Sequence, residues 1–125
     1  MMRLIVCGGR DYADQECLFR HLDAFHKAEG VSCVISGAAR GADTLGELWA
    51  AARNVPVARF PANWDLHGKS AGPIRNAQML AEGRADGVYA FPGGAGTANM
   101  VAQAKAQGVP VWTVQGREPE GSLFG

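Results

Sequence analysis

Residues 87–97 read GVYAFPGGAGT: an apolar run from Gly87 to Phe91, a proline, then three glycines in four positions ahead of a threonine. An apolar run without polar alternation suits a strand covered on both faces, the habit of parallel sheets set between helix layers. The period then changes. Thr97, Met100, Val101 and Ala104 fall at i, i+3, i+4 and i+7, one stripe of an α-helix. Strand, glycine-rich turn and helix together form the unit from which α/β proteins are wound.

The same unit recurs outward from this stretch. Arg3–Cys7, Val31–Ile35, Val55–Phe60 and Val109–Val114 are further short runs rich in Val, Ile and aromatics. Between them, Leu18, Leu22 and Phe25 mark one amphipathic helix, and Leu45, Leu48, Trp49 and Ala52 mark another. Gly72–Gly83 reads as a third, with Pro73 in the first turn, where a missing N–H costs little. The order is βαβαβαβαβ. Right-handed crossovers then predict a single α/β domain over residues 1–114. It is a Rossmann-like three-layer α/β/α sandwich around a five-stranded parallel sheet in the order 3-2-1-4-5. Residues 115–125 read as a C-terminal tail.

Composition narrows the function classes. The chain has 125 residues, of which 47% are hydrophobic and 17 are glycine. That apolar share excludes general disorder, and the glycines keep no Gly-X-Y period, which excludes collagen. No apolar run approaches the roughly 20 residues of a membrane span. The opening MMRLIVCGGRDY has too short an apolar run for a secretory signal. A soluble, cytoplasmic domain without membrane contact is expected. Twelve basic residues balance twelve acidic ones, so no global field draws the chain to nucleic acid. Cys7, Cys17 and Cys33 are odd in number and lack CxxC spacing, which gives neither a disulfide framework nor a zinc site. No metal and no cofactor is expected.

The glycines fall into two groups. Gly30, Gly83, Gly87 and Gly108 precede strands and read as caps and turns. Gly8 and Gly9, Gly37 and Gly41, and Gly93, Gly94 and Gly96 follow strands 1, 2 and 4. These belong to the C-terminal edge of the sheet, where open α/β sheets bind ligands at the switch of strand order. With order 3-2-1-4-5, the loops after strands 1 and 4 face each other across that switch. A loop without Cβ atoms can aim several N–H groups at one anion, and a following helix adds a partial positive charge. Phosphate is the anion this chemistry suits. Tight strand-to-helix turns with no ligand are the competing explanation. Neither GxxxxGK[ST] nor a clean GxGxxG is present.

Polar residues predicted on the same edge extend the candidate site. Arg10 and Asp11 follow the first glycine pair, and Asp11 could instead cap the first helix. The segment SGAARGADT supplies Ser36, Gly37, Arg40, Gly41 and Asp43, and Arg40 could pair locally with Asp43. Lys69, Arg75 and Asn76 lie in NWDLHGKSAGPIRN; Pro92 and Thr97 flank the last glycines. Guanidinium groups suit bidentate binding of phosphate or carboxylate. Pro61–Ala71 reads as the longest loop on this edge, carrying Trp64, Asp65, His67 and Lys69. Trp64 is expected to pack that loop onto the core rather than stack on a base, and His67 to be solvated. Trp49 and Trp112 read as core. Ser36 lacks the GxSxG of a nucleophile elbow and reads as a ligand contact.

Taken together, GGRDY (8–12), SGAARGADT (36–44), FPANWDLHGKSAGPIRN (60–76) and FPGGAGT (91–97) resemble the SLOG superfamily of Rossmann-like domains. That superfamily includes the LOG phosphoribohydrolases and the DNA-processing protein DprA/SMF. The resemblance is greatest to the small YspA-like, YpsA-related branch and covers about Arg3 to Val114. It implies a nucleotide or nucleotide-derived ligand at the glycine edge. LOG enzymes cleave the N-glycosidic bond of nucleoside monophosphates, using a PGGxGTxxE motif and an arginine in an MxxRK segment. Here PGGAGT matches, but Met100 occupies the place of the catalytic glutamate. Arg75 occupies the place of the arginine and is followed by Asn76 rather than lysine. An oxocarbenium-like state needs a carboxylate that methionine cannot supply.

Three functions follow as expectations. The first is a sensor or sequestering domain for a nucleotide-derived small molecule. The second is a phosphoribohydrolase-like enzyme in which Arg75 positions substrate and an aspartate, Asp43 or Asp65 (or Asp11), replaces the glutamate. The third is DprA-like binding of single-stranded nucleic acid, which the neutral charge opposes. The resemblance to LOG proteins also implies a homo-oligomer, a dimer or higher.

Overall fold

The computed structural model describes residues 1–117, so most of the tail assigned to 115–125 lies outside the described residues. The elements are β1 (Met2–Cys7), α1 (Gln15–Glu29), β2 (Val31–Ser36), α2 (Ala42–Ala52), β3 (Val57–Arg59), α3 (Trp64–His67), α4 (Ala71–Ala81), β4 (Gly87–Ala90), α5 (Ala95–Ala106), β5 (Val111–Thr113) and β6 (Gly116–Arg117). The sheet order is β3-β2-β1-β4-β5-β6. The pairings among β1 to β5 are all parallel, and β6 returns antiparallel on β5. The order therefore reverses between β1 and β4, and the fold is Rossmann-like α/β.

Among the described residues the sheet has six strands rather than the five expected. The sixth sets Arg117 opposite Trp112 and Gly116 opposite Thr113. A strand of two residues, one of them a glycine, has no apolar period to betray it. Gly116 takes φ +118°, a region open to glycine, as the chain turns back.

Alternation along β1 divides the core into two layers. Leu4 and Val6 pack with Leu18, Leu22 and Phe25 of α1 and with Trp49 of α2. Ile5 and Cys7 pack with Met79 and Leu80 of α4 and with Met100 and Ala104 of α5. Successive side chains leave a strand on opposite faces, so one short run serves both helix layers. Trp49 is fully buried and donates its indole N–H to Asp23 Oδ1 at 2.9 Å. Trp112 is half-buried, with its ring 4.8 Å from that of Phe25. No described helix is long and apolar enough to cross a membrane.

Three local expectations are corrected. The buried face of α2 is Ala42, Asp43, Gly46, Trp49 and Ala50, whereas Leu48 is 49% exposed. Counting only large apolar residues missed Gly46, which lies against Val6 and turns that side of the helix to the sheet. The cap of α1 is Asp14, whose Oδ1 accepts the Cys17 N–H at 3.1 Å; Asp11 does not serve as the cap. Pro61–Ala71 is not an open loop. It holds α3, capped by Asn63 Oδ1 accepting the Leu66 N–H at 3.0 Å, and a 3₁₀ turn at Gly68–Ser70.

Gly46 tests the packing of α2 on β1. A Cβ there would stand 2.8 Å from Val6 Cγ1 and 3.0 Å from Val6 Cβ. Alanine improves helix propensity by about 1 kcal/mol, while overpacking costs about 1–3 kcal/mol. Val6 is β-branched and fully buried, so it cannot swing away. Gly46→Ala is expected to destabilise by about 1 kcal/mol net, read as a lower urea midpoint at unchanged m-value.

Candidate functional site

The turns after β1, β2 and β4 meet at Gly9. Its N–H donates to the Pro92 carbonyl at 2.8 Å, and its carbonyl accepts from the Ala42 N–H at 3.1 Å and the Tyr12 N–H at 3.2 Å. Side chains have no room at these contacts. A Cβ at Gly93 would lie 2.6 Å from Gly9 N, and one at Gly41 would lie 2.6 Å from the Arg10 carbonyl carbon. Gly41 also has φ +81°. Gly8 is similarly closed by Ala42 Cβ at 2.7 Å. These glycines let three turns stack backbone to backbone.

Gly94 and Gly96 are different. Nothing lies within 4 Å of a Cβ built on either, so their freedom from side chains faces open space. They sit at the start of α5, whose N-cap is Gly94 and which no side chain caps. The first N–H groups of a helix lack intrahelical partners and carry the positive end of its dipole. The first turn of α5 bears no acidic residue to occupy them.

This helix start opens onto a cleft of about 610 Å³, within the size range of small-molecule sites. Gly8, Gly9 and Arg10 form one wall, and Gly94, Gly96, Thr97 and Asn99 form another. Lys69, Arg75 and Asn76 approach from the α3–α4 region. Cys7, Met79 and Met100 supply an apolar floor. Met100 is 1% exposed and is packed as core.

Asp43 and Arg75 flank the same backbone point. A Cβ at Gly37 would lie 2.5 Å from Arg75 Nη1 and 2.8 Å from Asp43 Oδ2. Arg75 Nη1 donates to the Gly37 carbonyl at 2.6 Å, and its Nε donates to Asn76 Oδ1 at 3.1 Å. Burial lowers the Arg75 pKa, with Asp43 opposing that shift. The guanidinium stays charged. Asp43 is 7% exposed, and its Oδ2 accepts the Ala39 N–H at 3.2 Å. Burial raises its carboxyl to about 6, only partly opposed by the Ala39 bond and Arg75. Burial and the nearby Asp43 also push the Cys7 thiol well up, so it is no nucleophile near neutrality.

The candidates thus separate. Gly8, Gly9, Arg10, Gly37, Asp43, Lys69, Arg75, Asn76, Gly94, Gly96 and Thr97 share the cleft. Ser36 is buried beneath it, donating its hydroxyl to Glu47 Oε2 at 2.6 Å and accepting from the Ala38 N–H at 3.0 Å. Arg59 Nε reaches the same Glu47 oxygen at 3.2 Å. Gly41, Pro92 and Gly93 do not line this cleft; they make the contacts that hold the turns together, and Pro92 and Gly93 are exposed beside a separate pocket of about 550 Å³. Asp65 is exposed on α3 and does not line the cleft. Arg40 pairs at 3.5 Å with Asp11, not with Asp43. Trp64 is not packed into the core. It is 47% exposed at the cleft rim, with the Arg10 guanidinium carbon 5.2 Å from its ring. His67 is exposed, as expected.

Two residues of this network escaped sequence reasoning. Asn99 lines the cleft, and its Oδ1 accepts from Asn76 Nδ2 at 3.1 Å. Its spacing of three from Gly96 on a helix was the available signal. Asn76 Nδ2 also donates to the Gly96 carbonyl at 3.2 Å, so it fastens α4 to the start of α5. Glu47, the partner of Ser36, had no local signal at all, since the pairing joins β2 to α2.

Asp43 gives a stability test with a definite sign. Its folded pKa, about 6 against an ordinary 3.8, lies above the unfolded value. The folded state therefore keeps a proton that the unfolded state has released between about pH 4 and 6. Stability is highest below that window and falls as pH rises through it, by about 1–3 kcal/mol, then levels. Asp43→Asn keeps an acceptor for the Ala39 N–H and removes the titration. Its stability relative to the parent is expected to rise from pH 4 to pH 7 in urea unfolding.

The sequence profile of the YspA, cpYpsA-related SLOG family matches residues 2–67, which hold the first two glycine turns and α3. Gene 61 protein of Mycobacterium phage D29 is 35% identical over 119 residues, covering 89% of this chain and 94% of that protein. No solved structure matches. The profile match takes in more than half the chain, and the glycine turns it spans are two of the three that Gly9 holds together. The protein belongs to the YspA, cpYpsA-related SLOG family.

Proposed function

We propose that the cleft binds a nucleotide or nucleotide-derived small molecule, with the protein acting as a sensor or sequestering domain. The observation that carries this reading is the uncapped start of α5, where Gly94 and Gly96 leave the backbone open to the cleft. A phosphoryl group placed there meets unpartnered N–H groups and the helix dipole. The Thr97 hydroxyl stands beside them, and Arg10, Lys69 and Arg75 lie across the cleft. Membership of the SLOG family supports a nucleotide-related role.

A second reading, hydrolysis of the N-glycosidic bond of a nucleoside monophosphate, rests on Asp43. It is the one carboxylate among the residues lining the cleft, and it lies beside Arg75. A carboxyl near pH 6 is suited to exchange protons at neutral pH. Arg75 would position substrate, and Asp43 would activate water or stabilise the developing sugar cation.

A panel of nucleoside monophosphates, NAD and ADP-ribose tests both. A ligand held at 100 times its Kd stabilises the fold by about 2.7 kcal/mol, enough to raise Tm by several degrees. Gly94→Asp is expected to abolish that rise. Its side chain meets nothing, so the fold is retained, while its carboxylate repels phosphate. Arg75→Ala is expected to weaken it at least tenfold. If both variants respond as the parent does, the site is misplaced. Chromatography of the same mixtures decides between the readings. Released base that Asp43→Asn cuts at least 100-fold establishes the hydrolase; intact ligand establishes the binder.

A further inference from the structure

A second chamber of about 440 Å³ adjoins the cleft. The two share Arg10, Gly37, Ala39, Trp64 and Arg75, so they form one continuous trough. Three of the nine residues lining the second chamber are arginines, Arg10, Arg40 and Arg75, and none is a carboxylate. Pro61, Ala62 and Trp64 close its other side. Guanidinium groups converging on a chamber that no carboxylate lines form an anion site of the kind that recognises phosphoryl oxygens.

Charge balance across the trough sharpens this. Arg10, Arg40, Lys69 and Arg75 line it against one carboxylate, Asp43, in a chain whose formal net charge is zero. The positive excess is local, and the start of α5 adds to it. A monophosphate carries about −1.5 to −2 charges near neutral pH. It would satisfy the α5 end and leave the arginine chamber uncompensated. Asp11 reaches Arg40 from outside, but at 3.5 Å with side chains 96% and 75% exposed. Such a pair contributes little and yields readily to a better anion. Between the two ends stands Trp64, which lines both chambers and has Arg10 near its ring. An aromatic surface at that point suits a planar base.

We propose that the trough takes a nucleoside bearing two phosphoryl groups, one at the start of α5 and the other among Arg10, Arg40 and Arg75, with its base against Trp64. This rests on the nucleotide-binding reading and deepens it. The ligand class is thereby distinguished from simple nucleoside monophosphates. Arg40 acts as a selectivity residue for the second phosphoryl group rather than as part of the α5 cradle.

Calorimetric titration of the full chain with three probes in both adenosine and guanosine series tests the proposal. The probes are the 5′-monophosphate, the 5′-diphosphate and the 3′,5′-bisphosphate. At least one two-phosphate probe is expected to bind ten times or more tightly than its monophosphate. Arg40→Ala is expected to collapse that ratio toward one. Asp11→Asn, which frees Arg40, is expected to preserve or raise it. Trp64→Ala is expected to weaken two-phosphate binding tenfold, with Trp64→Phe restoring most of the loss. Matching far-UV spectra and melting temperatures of the free variants establish that these surface changes leave the fold intact. Equal affinities for one and two phosphates, or a ratio that survives Arg40→Ala, overturn the two-phosphate assignment and leave nucleotide binding standing. No binding by any probe overturns both.

Discussion

Gly9 holds the functional edge of this molecule together. Its two backbone groups tie the turn after β1 to those after β2 and β4. Strands 1 and 4 diverge in their connections at the switch point, so the sheet alone does not close the gap between their turns. The closure comes from backbone contacts too short to admit a Cβ at Gly9's neighbours Gly41 and Gly93. Everything that lines the cleft is placed relative to that seam. Arg10 projects from it, Asp43 follows it by one residue beyond Ala42, and α5 begins just after Pro92 and Gly93 leave it.

The glycine excess therefore has two physical origins. At one set, Gly8, Gly41 and Gly93 among them, neighbouring turns leave no room for a Cβ. The other, Gly94 and Gly96, borders open space at a helix start. Sequence placed both sets on the correct edge because strand and helix periods are local properties, legible in windows of ten residues. It could not divide them, because closed and open glycines differ only in what lies across a turn from residues 30 or 80 positions away. The same limit explains Ser36, whose hydroxyl is taken by Glu47, and Asn76, whose amide is taken by Gly96 and Asn99.

Where sequence reasoning missed the buried face of α2, β6 and α3, a small residue or a short element was responsible. Gly46 carries no hydrophobic weight, yet it lets α2 approach Val6 and shifts the buried stripe away from Leu48. The two-residue β6 and four-residue α3 fall below the length at which a period can be counted. Trp64 erred in the other direction. A large aromatic in a loop has a strong prior for burial, but α3 and the 3₁₀ turn hold it at the rim of the cleft, within reach of Arg10.

The exchange of a glutamate for Met100 reads differently once the floor of the cleft is known. Met100 is buried beside Met79 and Cys7 in the layer that packs α4 and α5 on the sheet. A carboxylate inserted there would lie among apolar neighbours and would be costly to ionise. The acid this cleft does possess enters from the opposite wall, on α2, and is held by the Ala39 N–H with Arg75 alongside. The same arginine is fixed by the Gly37 carbonyl and by Asn76. Asp43 and Arg75 thus flank Gly37, while α5 presents its first backbone N–H groups with the uncharged side chains of Thr97 and Asn99. That division sets helix-start N–H groups on one wall and, on the other, a guanidinium and a carboxyl that flank Gly37. Any chemistry would have to come from the Gly37 side.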